Sequence, residues 1–275
     1  VMDYLSRESA PFSADLWKKI DDTVVDTASR VLVGRRFLNI FGPLGVGMQS
    51  INLDSTDIGK SVQEETAGGI SRIGRRKYEE IPLLYNDFTL LWRDIENSEK
   101  FDYPLDLSPV IAAAETCARK EDKLIFLGDE SFGYEGIFNA VGINKMEKSD
   151  WKSGENPFSD VASAVKILTE QGIYGKYVLV VSPDLYLQMQ RIQPGTGVLE
   201  VDRISKLLDG NIFTSPVLGT DKGALLCSEP NYMDIAIGQD MATAYLELKD
   251  LNHVLRVLET ALLRIKNKKS IVVFE

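Results

Sequence analysis

Apolar side chains recur at every third or fourth position between residues 13 and 32, a spacing that predicts an amphipathic helix. Ser13 stands where a helix N-cap belongs, because its hydroxyl can accept a hydrogen bond from the following turn. A second helix is predicted over residues 108–125, with Ser108 as its cap and Pro109 in its first position. The same spacing indicates shorter helices at 159–171, 184–192 and 201–208.

Strand-like segments lie between these helices without strict alternation. Residues 46–76 are polar and only weakly alternating, which predicts a long two-stranded excursion with little core of its own. Residues 81–92 return to apolar and aromatic side chains and are expected to re-enter the core as a strand. Further strands are predicted at 177–181, 211–216, 223–227, 234–237, 243–248 and 254–266. This mixed order indicates an α+β fold.

The composition is that of a folded protein, since 44% of the 275 residues are hydrophobic and 26% are charged. The longest apolar runs, such as 178–181 and 271–274, are far shorter than the ~20 residues that a membrane-spanning helix needs. The first residues lack the pattern of a secretion signal, so neither a membrane span nor ordinary secretion is expected. Cys117 and Cys227 are too far apart for a disulfide framework or a zinc-ligand pair, and we expect buried thiols in a reducing cytosol.

Charge and histidine content exclude several classes of function. The formal net charge of −10 argues against nucleic acid as a partner, because binding to a phosphate backbone requires clustered Lys and Arg. His253 is the single histidine of the chain. Mechanisms and metal centres that need two imidazoles, including ferroxidase sites built on Glu-x-x-His motifs, are therefore excluded.

No motif nominates a catalytic site. Residues 59–61 read Gly-Lys-Ser, like the end of a phosphate-binding loop, but Asp54 stands where that loop requires glycine. The glycine-rich residues 42–47 do not connect a strand to a helix, so a tight turn is expected there. His253 has no Gly-x-Ser-x-Gly elbow to serve, so it is interpreted as a hydrogen-bonded structural residue. Three pairs of adjacent acids are expected to be solvated: Glu64-Glu65, Glu79-Glu80 and Glu121-Asp122. The charged residues 266–269 are expected to form an exposed turn.

Several short segments, in order and spacing over the whole chain, resemble the encapsulin shell proteins, a family also called linocin or bacteriocin-like. The resemblance rests on residues 87–96 and 120–128 and on Asp3-Tyr4-Leu5, Ala10-Pro11, the helix with Trp17, Ile20 and Asp21, Val33-Gly34-Arg35-Arg36-Phe37, Phe41-Gly42-Pro43-Leu44-Gly45, Gly133-Tyr134-Glu135-Gly136-Ile137 and Gly238-Gln239-Asp240. It implies the major capsid protein fold of tailed phages. It also implies a closed icosahedral compartment in a prokaryotic cytoplasm, with a cargo enzyme inside, in which the shell protein itself is not an enzyme.

On this resemblance the chain divides into the parts of a capsid protein. An N-terminal arm and helix would occupy residues 1–43, and an extended loop residues 44–80. A peripheral domain with a long spine helix would comprise 81–134 and 226–275. The axial domain, which meets its copies at symmetry axes, would comprise 135–225.

The resemblance also implies sites. Family cargo carries a short C-terminal peptide that lies in an apolar groove beside the N-terminal helix, which here would use Ile20, Val24, Thr27, Ala28, Leu32, Arg35 and Asn39. Core packing is the alternative for Ile20, Val24 and Leu32. A five-fold pore would be lined by Gln193, Pro194, Gly195, Thr196 and Gly197. Some relatives stack a flavin on a tryptophan, which corresponds to Trp92, although Leu84 and Tyr85 stand where the accompanying arginine is expected.

The leading hypothesis is therefore a self-assembling shell subunit without metal or cofactor of its own, whose cargo is a ferritin-like or oxidative-stress protein. Iron chemistry would belong to that cargo, because the shell has a single histidine. Two alternatives remain open. A true phage-type capsid subunit would share the fold and package nucleic acid. A protease or bacteriocin, implied by older family descriptions, would require a nucleophile and base that the sequence does not offer.

Overall fold

The computed structural model describes residues 4–54, 62–74, 76–101, 103–193 and 197–275. Helix α1 (Ala14–Val31) confirms the first predicted helix, and Ser13 caps it by accepting a hydrogen bond from Leu16 N at 3.2 Å. Its apolar stripe faces the protein, so Ile20 and Val24 are buried. The helix ends in a short 3-10 turn, Gly34–Arg36.

Helix α3 (Ser108–Leu127) is the long helix predicted over residues 108–125. The predicted cap is wrong, because Leu107 occupies the cap position and Ser108 is already helical. Both the amide and the hydroxyl of Ser108 donate to Asp106 Oδ1, so the aspartate holds the start of the helix. Pro109 follows in the first turn, where its missing N–H has no helical partner to lose.

The first sheet has the strand order β1-β11-β12-β6 in the described residues. Its members are β1 (Ile40–Phe41), β6 (Leu83–Leu90), β11 (Met233–Lys249) and β12 (Asn252–Ile265). The strands predicted at 234–237 and 243–248 are one strand, since β11 runs through both with register shifts between Ile237 and Ala242. The strand predicted over 81–92 ends at Leu90, and helix α2 (Trp92–Phe101) follows it.

The second sheet has the order β7-β13-β10-β8-β9 in the described residues. Its strands are β7 (Asn144–Met146), β8 (Tyr177–Val181), β9 (Ile212–Thr214), β10 (Gly223–Cys227) and β13 (Ile271–Phe274). Its helices are α4 (Asn156–Glu170), α5 (Pro183–Met189) and α6 (Glu200–Leu207), close to the predicted positions. Strand β13 lies beyond residue 226 yet pairs with β10 and β7. The last strand therefore crosses the division predicted at residue 225.

The predicted excursion is a long hairpin that we call the arm, residues 50–54, 62–74 and 76–80. Strand β2 (Ser50–Leu53) pairs with β5 (Lys77–Glu80), and β3 (Gln63–Ala67) pairs with β4 (Ile70–Gly74). All of β3 and most of β4 are exposed, including Ile70 and Ile73. The prediction of a two-stranded excursion with little core of its own is confirmed. The Gly-Lys-Ser segment at 59–61 lies outside the described residues.

One apolar core cluster joins the two sheets, because it holds Val178 of β8 and Leu226 of β10 together with Ile235 of β11. Both cysteines are buried and unbridged, as predicted: Cys117 lies on α3 and Cys227 on β10. Among the described residues no helix is long and apolar enough to cross a membrane.

Candidate functional site

A groove runs beside the C-terminal half of α1 and has a volume of about 280 Å³. Apolar side chains from α1 and β11 line its middle, and charged side chains lie at one end. We call this feature the groove, and it is lined by Val25, Ala28, Ser29, Leu32, Arg35, Arg36, Asp240 and Met241. Val25 is 58% exposed although it is apolar. The groove therefore has the character of a binding surface for an apolar chain flanked by polar groups.

The structure separates the residues that were predicted to form a groove. Ala28, Leu32 and Arg35 line it. Ile20, Val24 and Thr27 instead face the core, each with at most 1% of its surface exposed. The Thr27 hydroxyl has no hydrogen-bond partner among the described residues. Asn39 is exposed, and its Nδ2 donates to Ser228 O at 3.0 Å, away from the groove lining.

Arg35 is held by acids from three different elements. Its Nη2 lies 2.7 Å from Glu121 Oε2 on α3 and 2.8 Å from Glu259 Oε2 on β12. Its Nη1 lies 2.6 Å from Asp240 Oδ1 on β11. The side chains of Glu121 and Glu259 are completely buried, whereas Asp240 is open to the groove. We call these four residues the ionic cluster. Arg35 lines the groove, but it is already bound to three acids and is therefore poorly placed to bind a further anion.

Burial and mutual repulsion set the protonation of the ionic cluster. Burial, followed by the nearby Glu121 carboxylate, raises the pKa of Glu259 well above its usual range. Burial opposes the Arg35 charge, but hydrogen bonds to Glu121 and the carboxylates around it raise the pKa of that guanidinium overall. Burial raises the pKa of Asp240, but the hydrogen bond and the charge of Arg35, together with the Met241 amide, lower it overall. Within the cluster, burial thus favours the protonated form of Glu259.

The prediction that Glu121 and Asp122 are solvated is wrong. Both are buried, because Glu121 faces Arg35 while Asp122 faces the turn that follows α1. The Asp122 carboxylate accepts hydrogen bonds from the amides of Val33 and Gly34 at 2.9 Å each. Burial raises the pKa of Asp122 to about 6, against the opposing effect of these two amides. Adjacent acids on α3 thus hold the turn that carries Arg35.

The turn at 266–269 is also less exposed than predicted. Lys266 Nζ lies 2.6 Å from Asp234 Oδ2, and Lys268 is paired with Glu135, so both amines are bound to the body of the subunit. Asp234 is buried and also pairs with Arg264 at 2.6 Å. This part of the chain is therefore a structural ion-pair network.

His253 lies at the start of β12 and is buried. Its Nδ1 is 3.4 Å from the Tyr245 hydroxyl, and the ring of Phe12 packs on it with centroids 4.8 Å apart. Burial lowers the pKa of the imidazole. This setting agrees with the structural interpretation of His253.

The predicted pore loop is closed at its base by a short ladder. Gln193 N donates to Val198 O at 3.0 Å, and Glu200 N donates to Arg191 O at 3.1 Å. The Arg191 guanidinium pairs with the buried Glu200 carboxylate at 3.1 Å, and Arg203 donates to Gln193 Oε1. Gly197 is exposed with a φ of +68°. Pro194, Gly195 and Thr196 lie outside the described residues.

Trp92 is the first residue of α2 and is 37% exposed. Its amide donates to Asn252 Oδ1 at 3.3 Å, and the Arg93 guanidinium lies 5.6 Å from its ring centroid. The Trp92 ring is therefore exposed and has a cation beside it. At Tyr85 the ring instead packs against Arg256, whose Cζ is 3.9 Å from the centroid.

Several residues of the site were missed by sequence reasoning. Val25 and Met241 line the groove, and Glu259 belongs to the ionic cluster. Val25 could have been found as an apolar residue off the buried stripe of α1. Met241 and Glu259 carry no local signal, because sheet pairing between distant parts of the chain brings them to α1.

Comparison with known proteins identifies the family to which this chain is similar. Residues 2–262 match the family model described as encapsulating protein for peroxidase. The type 1 encapsulin shell protein EncA of Myxococcus xanthus is 38% identical, over 99% of this chain and 96% of its own. A diheme-cytochrome-encapsulin shell fusion protein of Kuenenia stuttgartiensis is 39% identical, over 94% of this chain and 72% of its own. A ferritin-like-encapsulin shell fusion protein of Pyrococcus furiosus is 25% identical, over 74% of this chain and 55% of its own.

Solved structures give the fold. The virus-like particle from Pyrococcus furiosus superposes with a TM-score of 0.77 and 21% identity, over 95% of this chain and all of that chain. The capsid of Myoviridae phage XM1 gives a TM-score of 0.63 and 14% identity, over 87% of this chain and 90% of its own. The predicted capsid fold is thereby confirmed. The chain belongs to the encapsulating-protein family of encapsulin shell proteins, and it is a structural protein, not an enzyme.

Proposed function

We propose that this chain assembles with copies of itself into a closed icosahedral shell in a prokaryotic cytoplasm and encloses a cargo enzyme. The observation that carries the proposal is the arm, a long hairpin that leaves Ile70 and Ile73 exposed at 76% and 51%. A hairpin of this kind gains little stability within its own subunit. Contact with a neighbouring subunit would cover these side chains and the free strand edges.

Such contacts join different surfaces of neighbouring subunits. Heterologous contacts form closed particles only when their successive rotations close. Closure is supported by the fold, because solved structures that share it include a virus-like particle and a phage capsid.

The groove is proposed to bind the cargo. A short C-terminal peptide of the cargo would place apolar side chains against Val25, Leu32 and Met241, which line the groove. Relatives fused directly to a ferritin-like protein or a diheme cytochrome support redox or iron-storage proteins as the class of cargo. The iron chemistry would belong to the cargo, since the shell offers one imidazole.

The loop around Gln193 and Gly197 is proposed to line a five-fold pore for small ions. Its base is held by the pairs Arg191–Glu200 and Arg203–Gln193. These contacts would fix the width of the pore at its base.

A flavin bound at Trp92 is a secondary proposal. The exposed ring and the adjacent Arg93 supply stacking and a cation. Shells purified with added flavin mononucleotide and then desalted would retain flavin absorbance, and a Trp92→Ala variant would not.

The shell is tested by expressing the chain alone and examining it by negative-stain microscopy and light scattering. Uniform hollow particles are expected. A monomer or dimer would contradict the proposal. The ratio of absorbance at 260 and 280 nm separates a protein compartment from a phage-type capsid, because packaged nucleic acid would raise it.

Cargo recognition has its own test. A fluorescent protein carrying the C-terminal peptide of a ferritin-like protein encoded beside this chain would co-purify with the shells. The same fluorescent protein without that peptide is the control and should not.

A further inference from the structure

The ionic cluster contains more acids than it needs to neutralise its one cation. Glu121, Glu259 and Asp240 all bind Arg35, and two of them reach the same nitrogen atom, Nη2. Glu121 and Glu259 are therefore close neighbours in a completely buried position. Two buried carboxylates in contact cannot both remain ionised without a large energetic cost, so a proton between them is favoured.

Other charged and titratable groups do not cancel this excess. From α3, Cys117 Sγ lies 3.8 Å from Glu259 Oε1, while Lys120 Nζ is bound to Tyr85 O at 2.6 Å. Asp122 is occupied by the amides of the turn after α1. Arg36 lies at the groove end and donates to Arg30 O. These groups face the cluster from α3 and from the turn, whereas β11 contributes Asp240 and β12 contributes Glu259.

The cluster connects the groove to the rest of the subunit. Arg35 and Asp240 line the groove, and Glu121 and Glu259 belong to α3 and β12 behind it. The 3-10 turn that carries Arg35 continues directly from α1. A change in the cluster is thereby transmitted to one wall of the groove.

We propose that Glu259 carries a proton and donates it in a hydrogen bond to Glu121, and that this hydrogen bond latches the turn after α1 onto α3 and β12. At alkaline pH hydroxide removes the proton as water, and the cluster gains a negative charge that Arg35 cannot compensate. The turn and the adjacent groove wall then loosen. The effect on cargo rests on the proposed function of the groove, but the latch itself does not.

The direction of the pH effect on stability follows from the difference in bound protons between the folded and the unfolded state. Burial raises the pKa of Glu259 in the folded protein, so the folded state holds a proton that the unfolded state has already released. The stabilising contribution is complete below the unfolded pKa and is lost as the pH rises through the folded pKa. Arg35 acts here as a positioning residue for the groove.

Cys117 provides a native reporter, because it is buried and contacts Glu259. In a Cys227→Ala background, the rate at which Cys117 in the assembled protein reacts with Ellman's reagent is measured from pH 7 to 10. Thiolate formation alone raises such a rate by at most ~10-fold for each pH unit. We expect a steeper rise in the parent protein, because release of the latch also exposes the thiol.

Glu259→Gln is the decisive variant, since glutamine imitates the protonated acid by donating to Glu121 and accepting from Arg35. This substitution should remove the part of the rise in the Cys117 reaction rate that exceeds the effect of thiolate formation. Glu200→Gln is the matched control, because Glu200 is equally buried but pairs with Arg191 without a second acid in contact among the described residues. It should retain the parent profile.

An identical steep rise in the parent and in Glu259→Gln would overturn the latch, as would a parent profile that follows thiolate formation alone. If Glu259→Gln does not fold, Glu121→Gln supplies the same neutral partner and the same comparison. Failure to form particles would contradict the proposed function, whereas labelling of the folded subunit would still report on the proton.

Discussion

Arg35 Nη2 lies 2.7 Å from Glu121 Oε2, which joins the turn after α1 to the middle of the subunit through a completely buried carboxylate. Replacing Arg35 by Ala removes the cation that the buried acids share. Breaking a buried pair in this way costs about 3–5 kcal/mol, because an uncompensated charge remains. We expect a loss of this size in the free energy of unfolding, measured with denaturant.

The matched control is Arg256→Ala. Arg256 also pairs with an acid, Asp87 at 2.6 Å, but both side chains are partly exposed. An exposed pair contributes about 0–1 kcal/mol. Equal losses in the free energy of unfolding of the two variants would contradict the conclusion that the buried acids make Arg35 more important for stability than an exposed ion pair.

The buried carboxyl of Asp122 predicts that the stability of the protein depends on pH in the mildly acidic range. Because its pKa is raised to about 6 in the folded protein, its contribution to stability is complete below the unfolded value and is lost as the pH rises toward 6. The stability of the parent should therefore fall relative to that of Asp122→Asn between pH 4 and 6. The slope is at most about 1.4 kcal/mol for each pH unit. Parallel pH profiles of the two proteins would contradict this assignment.

The groove predicts a selective loss of cargo. Val25→Asp places a carboxylate on its apolar lining and should reduce co-purification of the peptide-tagged fluorescent protein by at least ~10-fold, the effect of 1.4 kcal/mol. The fold of the subunit should be unaffected, because Val25 is exposed. Lys19→Asp, at an exposed position of α1 that is not part of the groove lining, should load cargo normally. Equal loading by both variants would exclude this groove as the cargo site.

The arm predicts that assembly can be separated from folding. Ile70→Asp and Ile73→Lys introduce charges on opposite faces of β4, and the lysine faces Glu64 across the hairpin without a like-charge pair. Since both side chains are exposed in the subunit, the circular dichroism spectrum and the unfolding midpoint of the isolated subunit should be retained. For the variant whose new charge lies on the face that contacts a neighbour, light scattering should show subunits instead of particles. Arg72→Ala, which removes only an exposed pair with Glu65, should still assemble. Particles in both isoleucine variants would contradict the role of the arm.

Local patterns of apolar and polar residues predicted much of the fold. The helical spacing of Leu16, Ile20 and Val24 gave α1 within a residue at each end, and the polar composition of residues 46–76 predicted the arm. Helix α2 was missed, because its buried residue Ile95 stands among charged neighbours and follows a strand without a break. The cap of α3 was misplaced, because Asp106 and Ser108 are both suitable caps and sequence alone does not choose between them.

The site was less predictable, since its key contacts join distant residues. The spacing of Glu121 and Asp122 indicates only two adjacent acids on a helix. Their burial depends on Glu259 and on the turn after α1, which the sheet and the first helix bring to α3. Likewise Ile20 and Val24 belong to the apolar stripe of α1, and that stripe alone does not distinguish a core from a groove.

Strand β13 lies between β7 and β10 in the second sheet, although ribosomes make it after almost all the rest of the described chain. The second sheet therefore cannot close during most of synthesis, and its completion depends on contacts between residues far apart in sequence. A nascent subunit thus lacks a finished second sheet until residues 271–274 have emerged. Any contact between subunits that requires the complete second sheet can therefore form only after β13 has been made.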